Sequence, residues 1–220
     1  MSYHHRRPDG RAIDLPIGKI VCVGRNYAEH ARELGNAVPK EPLLFLKPNT
    51  SHADLAAPLV LPRERGECHH ELELCVLIGR PLCGATEEEV ATAVAGYGLG
   101  LDLTLRDEQN RLKAQGHPWE RAKAFDASAP LSGFLPVDAV DDVDQLDLRL
   151  WVNGEPRQAG NTNQMTLPVH ALIAYCSRFF SLLPGDVVMT GTPAGVGPLN
   201  PGDALRMQLG EVLEVRTRAR

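Results

Sequence analysis

Apolar residues along this chain fall in short blocks cut apart by proline and glycine, and the blocks carry two different periods. Ile20 to Val23 is a brief apolar run closed by Gly24, and Leu43 to Leu46 is a second that opens into Lys47-Pro48-Asn49; both read as strands. In HHELELCVLIG the side chains alternate and then turn continuously apolar from Cys75 to Ile78, the pattern of a strand entering the core. Leu99 to Leu103 predicts a buried strand leading into a helix from about Thr104 to Ala114, and Leu146 to Val152 alternates up to Asn153-Gly154, a strong hairpin signal. Helical spacing predicts further helices over Asn26–Leu34, Thr86–Ala95 and Val169–Leu182. Their stops or starts are marked by Gly35, by a Thr86/Glu89 capping box and by Pro184-Gly185. Asp186–Thr190 and Val212–Thr217 complete the set as terminal strands. Strands outnumber helices and do not alternate with them, which predicts an α+β fold on a mixed sheet rather than a doubly wound one.

Composition narrows the picture without changing it. The chain has 220 residues, 43% of them hydrophobic, enough for a packed core in one large domain. The net charge of -5 is spread among interspersed acids and bases, so neither nucleic acid nor an anionic membrane is an expected partner. No apolar run is long enough to span a bilayer, and the first residues, MSYHHRRPDGR, lack a hydrophobic signal region. The five cysteines are odd in number and include no C-x-x-C pair, and Cys22 and Cys75 lie inside apolar runs, as reduced core thiols do. A cytoplasmic protein is expected.

Three acids change the picture more. Residues two apart in a strand share a face, so Glu71 and Glu73 lie side by side with Leu72 and Leu74 opposite. On their own they suit a solvated strand face. Asp102, in Leu99-Gly-Leu-Asp-Leu, is flanked by apolar residues where an unpaired carboxylate is costly. A buried aspartate has a cation, an arginine or several backbone donors as its partner, and Arg106 four residues on is one candidate. Three carboxylates without a thiolate make a hard-oxygen set suited to Mg²⁺ or Mn²⁺, with His69 nearby. In GRNYAEHARELG, His30 and Glu33 are neighbours on a helix; they are either an ordinary surface pair or a base with its orienting carboxylate.

VGRNYAEHARELGN, PLLFLKPNTS, HHELELCVLIG, GYGLGLDLTLRDEQNRLKAQGHPWERAKAFD, NGEPRQAGNTNQM and GTPAGVGPLNPGD, in that order, resemble the fumarylacetoacetate hydrolase family, in its short acylpyruvase-like branch. The resemblance implies a mixed β-sheet roll of the family's C-terminal-domain type with a few peripheral helices, residues 1–16 an extension and 17–220 one catalytic domain. It further implies a homodimer and Glu71, Glu73 and Asp102 as ligands of Mg²⁺ or Mn²⁺. His30 and Glu33 would be a water-activating dyad, and Lys123 a stabiliser of negative charge on substrate. Arg25, Gln109 and Thr192 would be substrate contacts, with Asn26 beside the ion. Ala124 stands where related members carry serine. The implied activity is hydrolysis of the C–C bond of a 2,4-dioxo acid such as an acylpyruvate or fumarylpyruvate, giving pyruvate and a carboxylic acid. Oxaloacetate decarboxylation and isomerisation of a 2-hydroxy-diene-dioate are the alternatives with the same site. A non-catalytic metal-binding protein is the alternative of another class, disfavoured because a structural ion needs neither His30, Glu33 nor Lys123.

Overall fold

The structure is a computed structural model describing residues 3–33 (30 and 31 by backbone alone), 41–62 and 64–220. The chain runs through β1 (Ile20–Gly24), α1 (Ala28–Glu33) and β2 (Leu43–Lys47), then β3 (His52–Asp54) and β4 (Cys68–His70). β5 (Leu72–Ile78), α2 (Glu87–Ala93), β6 (Val94–Leu101) and β7 (Thr104–Leu105) follow, then α3 (Arg106–Ala114), α4 (Glu120–Lys123) and β8 (Ala129–Leu131). The remainder is β9 (Asp147–Val152), β10 (Glu155–Asn161), α5 (Val169–Ser177), β11 (Val187–Met189), β12 (Gly197–Pro198), β13 (Ala204–Leu209) and β14 (Leu213–Arg218). They form a mixed seven-stranded sheet in the order β2-β1-β11-β5-β6-β8-β3, a four-stranded antiparallel sheet β10-β9-β13-β14 and a small sheet β12-β4-β7. The expected mixed α+β architecture with few helices is present.

Alternation along β5 divides the interior. Leu72, Leu74, Val76 and Ile78 enter the larger core, while Cys75 and Leu77 enter a smaller one with Cys22, Leu131, Phe134 and Met189. Glu71 and Glu73 extend that second face to its rim, by the same period of two. β6 carries glycine at 96, 98 and 100 on the matching face. A side chain at Gly100 would put its Cβ 2.6 Å from Cys75 Sγ and 2.9 Å from Leu131 Cδ2, so the second core closes only because that stripe is bare.

Register then sets the site. Glu73 pairs with Gly100 and Leu72 with Leu101, and the Asp102 amide donates to the Glu71 carbonyl at 2.9 Å. Opposed residues of an antiparallel pair lie on one face, so Asp102 joins the two glutamates. On the far side, the hairpin turn at Asn153 (φ 53°) and Gly154 (φ 86°) has the left-handed pair of a type I′ turn. A bulge between Pro156 and Gln158 re-aims the strand, and Gln158 is buried against the back of β5.

All four expected helices differ in their bounds: α1 starts at Ala28 rather than Asn26, and α2 spans Glu87–Ala93 rather than Thr86–Ala95, its last two expected residues opening β6. α3 starts at Arg106 rather than Thr104, because Thr104 and Leu105 pair with His69 and Cys68. α5 ends at Ser177, not Leu182: the Ser177 carbonyl accepts from Gly84 N at 2.8 Å and its hydroxyl from Ala85 N at 2.9 Å. Leu182 instead bridges to Leu82. Among the described residues no helix is long and apolar enough to cross a membrane.

Candidate active site

Glu71, Glu73 and Asp102 are buried, and one carboxylate oxygen from each lies within 4.8 Å of the others. Three anions this close in a poorly solvated place need cations. Lys123, carried by the short helix α4, donates from Nζ to Glu71 Oε2 at 2.8 Å and to Asp102 Oδ2. Burial pulls its pKa down, but Asp102 and Glu71 more than offset this and hold it above the ordinary lysine value. Arg106 pairs with Glu71 and donates to Gln109 Oε1 at 2.6 Å. The local expectation of an Arg106–Asp102 pair is therefore replaced: strand register turns the arginine to the glutamate.

Asp102 has a partner that the sequence reading missed. Lys47, at the end of β2, has no solvent exposure. Its Nζ lies 2.8 Å from Asp102 Oδ1, donates to Ser128 O and Ser128 Oγ at 3.1 Å each, and also bonds the Lys123 carbonyl. The contact with Asp102 Oδ1 is off the hydrogen-bond direction, and that oxygen has no directed donor. A lysine closing an otherwise apolar strand was the available signal. Thr192 is held in place from behind: its hydroxyl donates to Leu72 O and accepts from Gln158 Nε2, both at 2.8 Å. Gln158 was missed as well, since only the bulge reveals which way it points.

Glu73 is different. Among the described residues no cation pairs with it, and it accepts from the Gly191 amide at 2.7 Å. Burial, then Asp102 and Glu71, push its pKa well above the ordinary carboxylate value. An acid held this way, beside an Asp102 oxygen without a directed donor, fits a divalent cation in a hard-oxygen cage. Gly191, at φ 100°, turns its amide to the glutamate in a conformation that favours glycine.

The remaining expected contacts surround this cluster. Arg25, Gln109 and Thr192 line one pocket with the three acids, Lys113, Trp119 and Lys123. Arg25 holds φ at 63°, a strained conformation for a long side chain that is common at functional sites. The Asn26 amide is taken up by the Leu167 and Thr190 carbonyls at 3.2 and 3.0 Å. Glu33 lines an adjoining cavity of about 300 Å³ and accepts from Gly195 N at 3.0 Å. The His30 side chain lies outside the described residues, as do Leu34 and Gly35, so of the expected pair only the Glu33 side chain is described.

Residues 19–219 match the family model described as fumarylacetoacetate (FAA) hydrolase C-terminal. The chain is 55% identical over 204 residues to oxaloacetate tautomerase YcgM of Escherichia coli (strain K12), covering 92% of this chain and 93% of that one. It is 44% identical over 189 residues to the mitochondrial oxaloacetate decarboxylase of Dictyostelium discoideum, covering 86% and 87%. The crystal structure of fumarylpyruvate hydrolase from Pseudomonas aeruginosa with Mn²⁺ and pyruvate superposes with a TM-score of 0.92 at 37% identity, covering 99% of this chain and 95% of that one.

These likenesses overturn the expectation of an acylpyruvate C–C hydrolase: the nearer relatives are named for oxaloacetate chemistry, the alternative reading. The reason for the error is chemical. A base able to take a proton from water can equally take one from the carbon beside a ketone, and three carboxylates around a cation serve both reactions, so the identities of His30, Glu33 and Lys123 did not discriminate.

Proposed function

Because the chain belongs to the fumarylacetoacetate hydrolase family, we propose that it is an oxaloacetate tautomerase, moving one proton between C3 and the enol oxygen of a 2-oxo dicarboxylic acid. What carries this reading is one pocket that joins the three-acid cluster of Glu71, Glu73 and Asp102 to a surplus of cations, in a chain 55% identical to an oxaloacetate tautomerase. A divalent ion, Mg²⁺ or Mn²⁺, held by those acids would supply Lewis-acid polarisation of a chelating 2-oxo acid.

The other steps belong to side chains. Lys123, backed by the Phe45 ring at 5.3 Å, sits where it can donate to the oxygen that becomes negative as C3 loses its proton. Arg106, whose two terminal nitrogens bond Gln109 and Glu71, contributes a fixed positive charge towards the carboxylate next to the ketone. His30 and Glu33 are the proposed carriers of the migrating proton, with Gly195 N fixing the glutamate. No water need be split, which separates this chemistry from hydrolysis at the same site. Loss of the distal carboxylate, as the name of the Dictyostelium relative suggests, is the second reading.

The test follows freshly dissolved oxaloacetate by its ultraviolet enol absorbance, with pyruvate assayed in parallel, under Mg²⁺, Mn²⁺ or chelator. We expect equilibration to speed up in proportion to protein, to stop with chelator and to fall at least ~100-fold in Glu73→Gln, as for loss of a polarising group worth several kcal/mol. Equilibration at the buffer rate would overturn the reading, and pyruvate as the sole product of catalysis would transfer it to decarboxylation.

A further inference from the structure

We infer that Lys113 sets the specificity of this pocket: its ammonium takes the distal carboxylate of a dicarboxylic 2-oxo acid and so selects such acids over monocarboxylic ones. The inference rests on the proposed oxaloacetate reading and adds to it the residue that recognises the second charge.

Arg106, Gln109 and Lys113 fall at i, i+3 and i+7 of α3, one face of a helix. Arg106 and Gln109 are buried beside the acids, and side chains on a helix lean towards its N-terminus, so Lys113 reaches back towards them. The position is a boundary. Lys113 and Arg106 line both the pocket that holds the three acids and the adjoining cavity of about 300 Å³ that holds Glu33. A ligand whose inner end meets the acid cluster has its outer end at Lys113.

The other ammonium groups near the acids are engaged. Lys123 bonds Glu71 and Asp102, and Lys47 lies against Asp102 and Ser128. Lys113 has no carboxylate partner among the described residues; its Nζ rests over the Trp119 ring, 5.4 Å from the centroid. Burial, followed by Arg106, Arg25 and Lys123, lowers its pKa to about 8. An ammonium crowded by cations on a half-buried wall gains most from an arriving anion, and a carboxylate three carbons from the 2-oxo acid end is such an anion. A purely structural reading, with the lysine stem packed on Trp119, makes no distinction between substrates.

Lys113→Met keeps an apolar stem on Trp119 and removes the charge. We would compare tautomerisation of oxaloacetate with that of its 4-ethyl ester, which lacks the distal charge, in the wild-type protein, Lys113→Met and Lys113→Arg. The inference expects kcat/KM for oxaloacetate to fall 10- to 100-fold in Lys113→Met, mainly through KM, while the ester changes no more than about twofold and Lys113→Arg recovers most of the loss. An equal fall on both substrates, or no fall on either, overturns it. A second arm reads binding alone: tryptophan fluorescence titration with malate and lactate, two unreactive 2-hydroxy acids that differ in the distal carboxylate. Wild-type protein is expected to prefer malate by at least 10-fold and Lys113→Met to lose that preference; a preference unchanged by the substitution overturns the inference. Should wild-type protein leave oxaloacetate equilibration at the buffer rate, the tautomerase reading fails on that result, and the malate–lactate arm decides on Lys113 by itself.

Discussion

Lys47 shows how one residue can hold a site that it never exposes. Its Nζ touches Asp102, Ser128 and the carbonyl of Lys123, so removing it leaves a buried carboxylate without a partner on one side. Lys47→Met should lower unfolding stability by about 3–5 kcal/mol, read as a shift in the urea midpoint at constant slope. Lys113 yields a prediction of another kind. With a pKa of about 8 in the free protein, it is charged below that pH and neutral above it. If it binds the distal carboxylate, kcat/KM for oxaloacetate falls as pH rises through 8, and a profile flat from pH 7 to 9 would remove it from binding. At this scale the acids were legible because carboxylates in apolar surroundings announce a partner. The partners were not, since Lys47, Gln158 and the turn of Arg106 towards Glu71 depend on strand register and a bulge, which bring together residues far apart in sequence.

At the scale of elements, local chemistry was the readable part. The Thr86/Glu89 capping box is formed, with Glu89 N bonded to Thr86 Oγ1 at 3.3 Å and Thr86 N to Glu89 Oε2 at 2.8 Å. Thr86→Ala should cost about 1 kcal/mol in thermal or urea unfolding. The Asn153-Gly154 turn also stands where the sequence put it. Elements set by tertiary contact were harder to bound: α5 stops where Gly84 and Ala85 take up Ser177, and the short strands β3 and β8 exist only as each other's partners and that of β6. The alternation in β13, with Leu205, Met207 and Leu209 inward, was present in the sequence and went unread. The glycine stripe of β6 makes a sharper test. Gly100→Val would force carbon into Cys75, Leu131 and Met189, and a loss of at least about 1–3 kcal/mol is expected from overpacking. A variant of unchanged stability would show that the second core is looser than it looks.

Over the whole molecule, two histidines tie the first residues to the body of the protein. His5 Nε2 is 3.0 Å from the Gly185 carbonyl, and the His52 ring packs against those of Tyr3 and His5, with centroids 5.1 and 5.8 Å away. Burial lowers both pKa values, that of His52 to about 4. A histidine whose pKa falls on folding contributes stability that is fully present above its unfolded value near 6.5 and is lost as pH falls towards the folded value. Stability should therefore drop between pH 6.5 and 4, with roughly 2–3 kcal/mol of the drop attributable to His52. His52→Asn should flatten that part of the curve, and an unaltered slope would refute the assignment. The order of strands in the main sheet has a consequence for biosynthesis. β11, at residues 187–189, lies between β1 and β5, and the next turn supplies the Gly191 amide to Glu73. A nascent chain that has not yet extruded those residues leaves β1 and β5 unjoined and Glu73 without that donor. The main sheet and the donor set around Glu73 therefore close together, once residues 187–191 have left the ribosome, rather than in the order in which the strands are made.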